Sequence, residues 1–136
     1  MTSITRVFLA MALPIVAISL MPSAAMAQSY TGNWPITVSK SHYGNGTYCV
    51  ALTDDGSQGF PHSGYAAFVP SNGYAGLFTV INGIVTVTIP EPYNGELEFQ
   101  VFVAHASAGR IRKGAYDLAG GPDDSGVAVF GAKNGC

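Results

Sequence analysis

The stretch I-N-G-I-V-T-V-T-I, residues 81–89, decides the fold. Asn82-Gly83 suits the two positive-φ positions of a two-residue type I′ hairpin turn. Beyond the turn, Val85, Val87 and Ile89 share one parity, and Thr86 and Thr88 share the other. Period two with one polar face marks a half-buried antiparallel strand. The same pattern recurs in both directions. Trp34, Ile36 and Val38 alternate with polar or small residues. Leu97, Phe99, Val101 and Val103 alternate with Glu96, Glu98 and Gln100, which predicts the first set as a core face. Phe99 and Val101 then join Trp34 and Val87 in the expected core. Gly, Pro, Asn, Asp and Ser punctuate these runs at intervals of about 8–12 residues. The spacing predicts an all-β chain of eight strands, over 31–39, 46–53, 60–69, 74–81, 84–90, 96–105, 109–118 and 125–132. Short connections make sequence neighbours spatial neighbours. An antiparallel eight-stranded meander closes into an up-and-down barrel, which removes exposed edges. A closely related β-sandwich is the alternative.

The amino-terminal segment is of another kind. Arg6 precedes an apolar run from Val7 to Leu20, and small residues lead to Ala25-Met26-Ala27. This is the layout of a cleaved secretory signal peptide over 1–27, followed by one β-domain over 28–136. The apolar run is short for a bilayer span. A secreted or periplasmic chain follows. Its formal charge of −2 becomes −3 without Arg6. No basic cluster suggests a nucleic-acid partner. Arg110-Ile111-Arg112-Lys113 reads as a charged, solvated strand edge. Charged residues make up 10% of the chain, well under the usual ~25%. The surface must therefore rely on Ser, Thr, Asn, Gln, Gly and Tyr. Such surfaces suit contacts with sugars or proteins. An outer-membrane barrel would need longer strands with a lipid-facing band.

An exported chain meets an oxidising compartment, and two cysteines there pair. No histidine or further cysteine lies at zinc-site spacing from Cys49 or Cys136. The expectation is a Cys49–Cys136 disulfide that pins the carboxyl terminus to the second strand.

In a meander, alternate loops share an end. One end collects Asp54–Gly59, Asn82-Gly83 and Ser107–Gly109, mostly tight turns. The other collects longer loops carrying His42, Tyr43, Asn72, Glu91, Tyr93, Asn94, Asp123 and Asp124. Binding residues concentrate on loops held by a rigid scaffold, and barrel mouths are common pockets. His42, Tyr43, Asn72, Tyr93, Asn94, Asp123 and Asp124 are the candidate binding residues.

Gly32-Asn33-Trp34 resembles the G-x-W that opens the first strand of calycins, which include lipocalins, avidin-like proteins and small secreted protease inhibitors. The resemblance implies a barrel with Trp34 plugging its closed end. Lys133, just after the last strand, would supply the basic group near it. No ligand follows from this resemblance.

No G-x-S-x-G, H-E-x-x-H, P-loop or G-x-G-x-x-G is present, so no catalytic residue, metal or cofactor is assigned. His62 and His105 fall at the tight-turn end with Asp54 and Asp55. A metal-assisted hydrolase there is one alternative. The pairs Asp54-Asp55 and Asp123-Asp124 fall at opposite ends and read as turn caps. Asn45-Gly46-Thr47 is formally a glycosylation sequon. The favoured function is non-enzymatic binding of a small molecule, a glycan or a protein, including a protease. A structural envelope protein without a ligand is the remaining alternative.

Overall fold

A computed structural model of the chain describes residues 29–55, 62–92, 94–121 and 123–136. The predicted signal segment, the predicted turn residues 56–59, the predicted strand start at 60–61 and the candidate Tyr93 lie outside them. Eight strands follow in order: β1 (Gly32–Ser39), β2 (Gly46–Asp54), β3 (His62–Phe68), β4 (Gly76–Ile81), β5 (Ile84–Pro90), β6 (Phe99–Ser107), β7 (Arg110–Ala119) and β8 (Asp124–Phe130). Each pairs with the next, and β8 pairs back onto β1. The architecture is a closed antiparallel barrel. The sandwich alternative is set aside because β8 and β1 share a ladder from Ile36↔Phe130 to Ser39↔Val127.

The opening stretch behaves as its sequence dictates. Asn82 and Gly83 take φ of 50° and 74° and join Ile81 to Ile84. Val85, Val87 and Ile89 point inward. They meet Trp34, Ile36, Val50, Leu52, Phe78, Phe102 and Phe130 in one apolar interior. A membrane barrel of this kind would carry a polar interior instead.

For the sixth strand, the observed parity is the reverse of the expected one. Val87 faces Phe102 and Ile89 faces Gln100 across the β5–β6 ladder. Directly opposed side chains on paired strands share a face. The inward set of β6 is therefore Gln100, Phe102, Ala104 and Ala106, all buried. Phe99, Val101 and Val103 point outward and are only half-buried, and Leu97 is 55% exposed. Of the four expected core anchors, Trp34 and Val87 are in the core and Phe99 and Val101 are not.

A β-bulge sets the phase of β7. Ala104 pairs with Gly114, but Ala106 pairs with Ile111, so Arg112 and Lys113 together oppose His105. The extra residue lets Ile111 and Tyr116, five positions apart, both face inward. It also turns Arg112 and Lys113 outward together. Three inward glycines mark where strands approach most closely. A Cβ on Gly64, Gly76 or Gly114 would overlap the carbonyl oxygen of Thr53, Thr88 or Val103.

Trp34 lies at the tight-turn end, 1% exposed, and its Nε1–H donates to the Tyr30 carbonyl at 2.9 Å. The Lys133 ammonium donates to the Ser29 carbonyl at 3.1 Å, at the same end. Cys49 on β2 is bonded to Cys136, with Cα atoms 5.9 Å apart. Both features fall where the sequence places them.

Ala108 occupies the first turn position of the β6–β7 hairpin with φ of 52°, beside Gly109 at 73°. A side chain there costs about 1 kcal/mol of left-handed strain that Asn tolerates better. Ala108→Asn should therefore raise stability by up to about 1 kcal/mol in urea denaturation. The denatured protein without reductant should show no free thiol. The double change Cys49→Ala with Cys136→Ala should lower unfolding stability by about 2–4 kcal/mol, since it frees a loop of 87 residues.

Candidate functional site

The long-loop end of the barrel is built around one carboxylate. Asp124 opens β8, is 7% exposed and reaches across to the β1–β2 loop. It accepts hydrogen bonds from the Ser41 hydroxyl (2.6 Å) and the backbone N–H groups of His42 (2.8 Å) and Tyr43 (3.0 Å). The Ser41 oxygen in turn accepts from Gly44 N–H at 2.7 Å. Asn45 completes the loop by exchanging two 2.8 Å bonds with the Ser41 backbone. The Ser41 hydroxyl, then the N–H groups of His42, Tyr43 and Ser125, hold the Asp124 carboxyl down to about 2, against the opposing effect of burial. Asp124 is thus a loop anchor whose partners lie more than eighty residues away in sequence.

Beside this anchored loop the barrel opens into a cup of about 580 Å³. Its walls are Tyr43, Gly44, Tyr48, Pro92, Tyr116 and Leu118, and its acidic and amide groups are Glu91, Glu98 and Gln100. Phe102 lies beneath it, with ring centroids 6.0 Å from Tyr48 and 5.6 Å from Tyr116. The cup is therefore a mouth above a filled interior. Tyr48 is fixed by its hydroxyl, which donates to the Gly44 carbonyl at 2.7 Å. Tyr116 lies so close to Gly44 that a Cβ there would meet its ring at 2.5 Å.

Among the cup's polar groups, Gln100 comes from the reversed face of β6, Glu98 from the residue just before it and Glu91 from the β5–β6 loop. Gln100 is 5% exposed, and its Oε1 is buried with no hydrogen-bond partner. Glu98 is 7% exposed, and its carbonyl accepts the Glu91 N–H at 2.8 Å. Burial, then the charge of Glu98, pushes the Glu91 carboxyl above its ordinary range. Burial raises the hydroxyl pKa of Tyr48, with Glu91 and Asp124 adding to the effect. Tyr116 is raised well beyond the usual tyrosine value, by burial first, then Tyr48, Asp124, Glu91 and Glu98. Negative charge converges on this mouth.

The seven candidates from sequence fare unequally in place. Tyr43 lines the cup. His42, Asp123 and Asp124 line a neighbouring shallow depression with Lys40, Asp117 and Ser125. Asn72 is taken up locally, donating to the Pro90 carbonyl at the end of β5 and accepting from Tyr74 N–H in its own loop. Asn94 is an exposed turn residue at φ 51°. Tyr93 lies outside the described residues. Tyr48, Glu98, Gln100, Tyr116 and Leu118 were not among the candidates. They sit on strands or beside them, and an acidic or amide residue on the inward parity of a mouth-proximal strand is the signal that finds them.

The tight-turn end is different in kind. His62 opens β3 and lies 6.2 Å from the Tyr30 ring, whereas His105 lies on β6, with β4 and β5 between them. Among the described residues no three His, Cys, Asp or Glu side chains gather as metal ligands. Asp54 accepts from Ser29 Oγ and Tyr30 N–H, fixing the chain's entry to β1. A larger cleft of about 900 Å³ runs along the outer surface here. Arg110, Arg112, Lys113 and Lys133 line it, all exposed, over Trp34, Ile111 and Phe130. Its cations stay in water, whereas the cup's polar groups are withdrawn from it. The cup is the better-built site.

No family model matches the chain, and no curated protein or solved structure matches it significantly. The resemblance to calycins stands at the level of an eight-stranded antiparallel barrel.

The Asp124 anchor gives a pH prediction. Its folded pKa lies below the ordinary 3.8, so its contribution is complete above that value and is lost as pH falls toward about 2. Asp124→Asn should flatten the acid-side loss of stability in that window and lower the melting temperature at neutral pH. Denaturation of both proteins across pH checks this.

Proposed function

We propose that the chain is an exported, non-enzymatic binding module that takes a small ligand at the mouth of its barrel. The observation that carries this reading is the 580 Å³ cup with a buried, unpartnered amide oxygen in its lining. Its size falls within the ~300–1,000 Å³ of small-molecule sites. A buried polar atom without a partner is costly unless something supplies one. The interior below the cup is filled, so a ligand would be held at the mouth instead of deep inside. The disulfide fits an oxidising, extracytoplasmic location.

A protein partner on the outer wall is the second reading. Tyr65 and Leu77 face each other across β3 and β4 and are 59% and 61% exposed. Adjacent exposed apolar side chains of this size favour a contact surface.

The two readings separate in one experiment. Backbone-amide chemical shifts of the labelled protein would be followed while mixtures of small amines, sugars and hydroxy acids are added. The mouth reading expects shifts confined to Tyr43–Tyr48, Glu91–Gln100 and Tyr116–Leu118. Gly44→Ala, which drives the Tyr116 ring off its position, should weaken that binding by about tenfold or more. Shifts confined to the Tyr65–Leu77 wall, or no shifts at all, would overturn it.

A further inference from the structure

Resting on the mouth-binding reading, we infer that the cup selects an organic cation, a primary or secondary ammonium carried on an apolar body. Three features of the site point to this class. The first is charge. Among the described residues, Glu91 and Glu98 are the carboxylic acids of the lining, and no Lys, Arg or His lines it. Lys40, the basic residue nearest in sequence to the β1–β2 loop, lines the adjoining depression with Asp117, Asp123 and Asp124. Glu98 is already buried and Glu91 half-buried, so a ligand over the mouth completes their desolvation, and a positive charge on that ligand compensates it.

The second is hydrogen bonding. Gln100 Oε1 lacks a donor, and the carboxylates of Glu91 and Glu98 are acceptors when ionised. An ammonium supplies two or three N–H donors and no acceptor, which matches a ring of acceptors. An anion or an aprotic ligand leaves them unpaired. The third is the wall. Tyr43, Tyr48 and Tyr116 bring three aromatic rings to the lining, and the face of such a ring attracts a cation within about 6 Å of its centroid. Pro92 and Leu118 add an apolar side for the ligand's body.

The position of the acids also suits this ligand. Glu98 and Gln100 are fixed by the β6 register, and Glu91 is held to Glu98 by a backbone hydrogen bond. The backbone that carries these acceptors is therefore fixed before a ligand arrives, which lowers the ordering cost of binding.

The test compares three probes of one shape and three charges: 2-phenylethylamine, 2-phenylethanol and phenylacetate. Each is titrated into the purified protein at neutral pH and low salt, with amide shifts as readout. The amine should shift cup residues and bind about tenfold or more tightly than the alcohol, and phenylacetate should bind more weakly than either. The double variant Glu91→Gln with Glu98→Gln should remove the amine's advantage, bringing its affinity level with that of the alcohol for the same variant. Should that variant lose its dispersed spectrum, Glu91→Gln alone carries the test, because this side chain is only half-buried at the rim. Alcohol or phenylacetate binding at the cup as tightly as the amine overturns the cation class and leaves the mouth reading intact. Shifts from all three probes lying elsewhere, or none from any, overturn both.

Discussion

The pairing of Val87 with Phe102 governs the rest of this molecule. Val87 has threonines on either side, so its face must be the buried one. Phe102 is opposite and has to follow it inward. Every second residue of β6 then follows Phe102, toward Ala104 and Ala106 at one end and Gln100 at the other. Glu98 continues the same direction just beyond the strand. A slip of one residue would exchange the two faces of β6. It would bring Phe99, Val101 and Val103 inside and leave the mouth without Gln100 and Glu98. The acidic cup is thus a consequence of sheet register, with the loops adding Tyr43 and Glu91 to it.

Much of the fold was legible because it rests on local signals. Asn82-Gly83 is a turn by its own chemistry, and β5 carries apolar residues on one face only. Two cysteines leave one possible pairing within the chain, and it is the one formed. The sixth strand was misread for an equally physical reason. Both of its faces are apolar over part of their length, so period two identifies a strand and does not say which side is buried. That choice belongs to the partner strand. The bulge at Arg112 and Lys113 hides the phase of β7 in the same way, since Ile111 and Tyr116 have opposite parity. Asp124 was read as a cap for its own turn. Its carboxylate instead holds a loop that no sequence window joins to it. The site residues taken from loops were therefore partly scaffolding, and those on the strands were passed over.

The low charge content acquires a shape in three dimensions. The outward positions of β1 to β5, such as Thr37, Thr53, Tyr65, Thr79 and Thr86, carry no Asp, Glu, Lys or Arg. Charge collects at the ends. Four of the five Lys and Arg side chains among the described residues line the cleft at the tight-turn end. Glu91, Glu98, Asp117, Asp123 and Asp124 surround the mouth. The barrel is electrically polar along its axis, although its net charge is small. Such a field guides charged partners toward one end and away from the other.

The bond between Cys49 and Cys136 changes what counts as distant in this chain. The seam between β1 and β8 joins Ile36 to Phe130, residues 94 apart along the backbone. Through the sulfur bridge the path is 6 residues from Phe130 to Cys136 and 13 from Cys49 to Ile36. Once the bridge exists, the contact that closes the barrel is covalently almost a neighbour contact, and its loop-closure entropy shrinks accordingly. The bridge also makes the seven strands from β2 to β8 part of one covalent ring. A single backbone cut in any loop between Cys49 and Cys136 opens that ring without releasing a fragment.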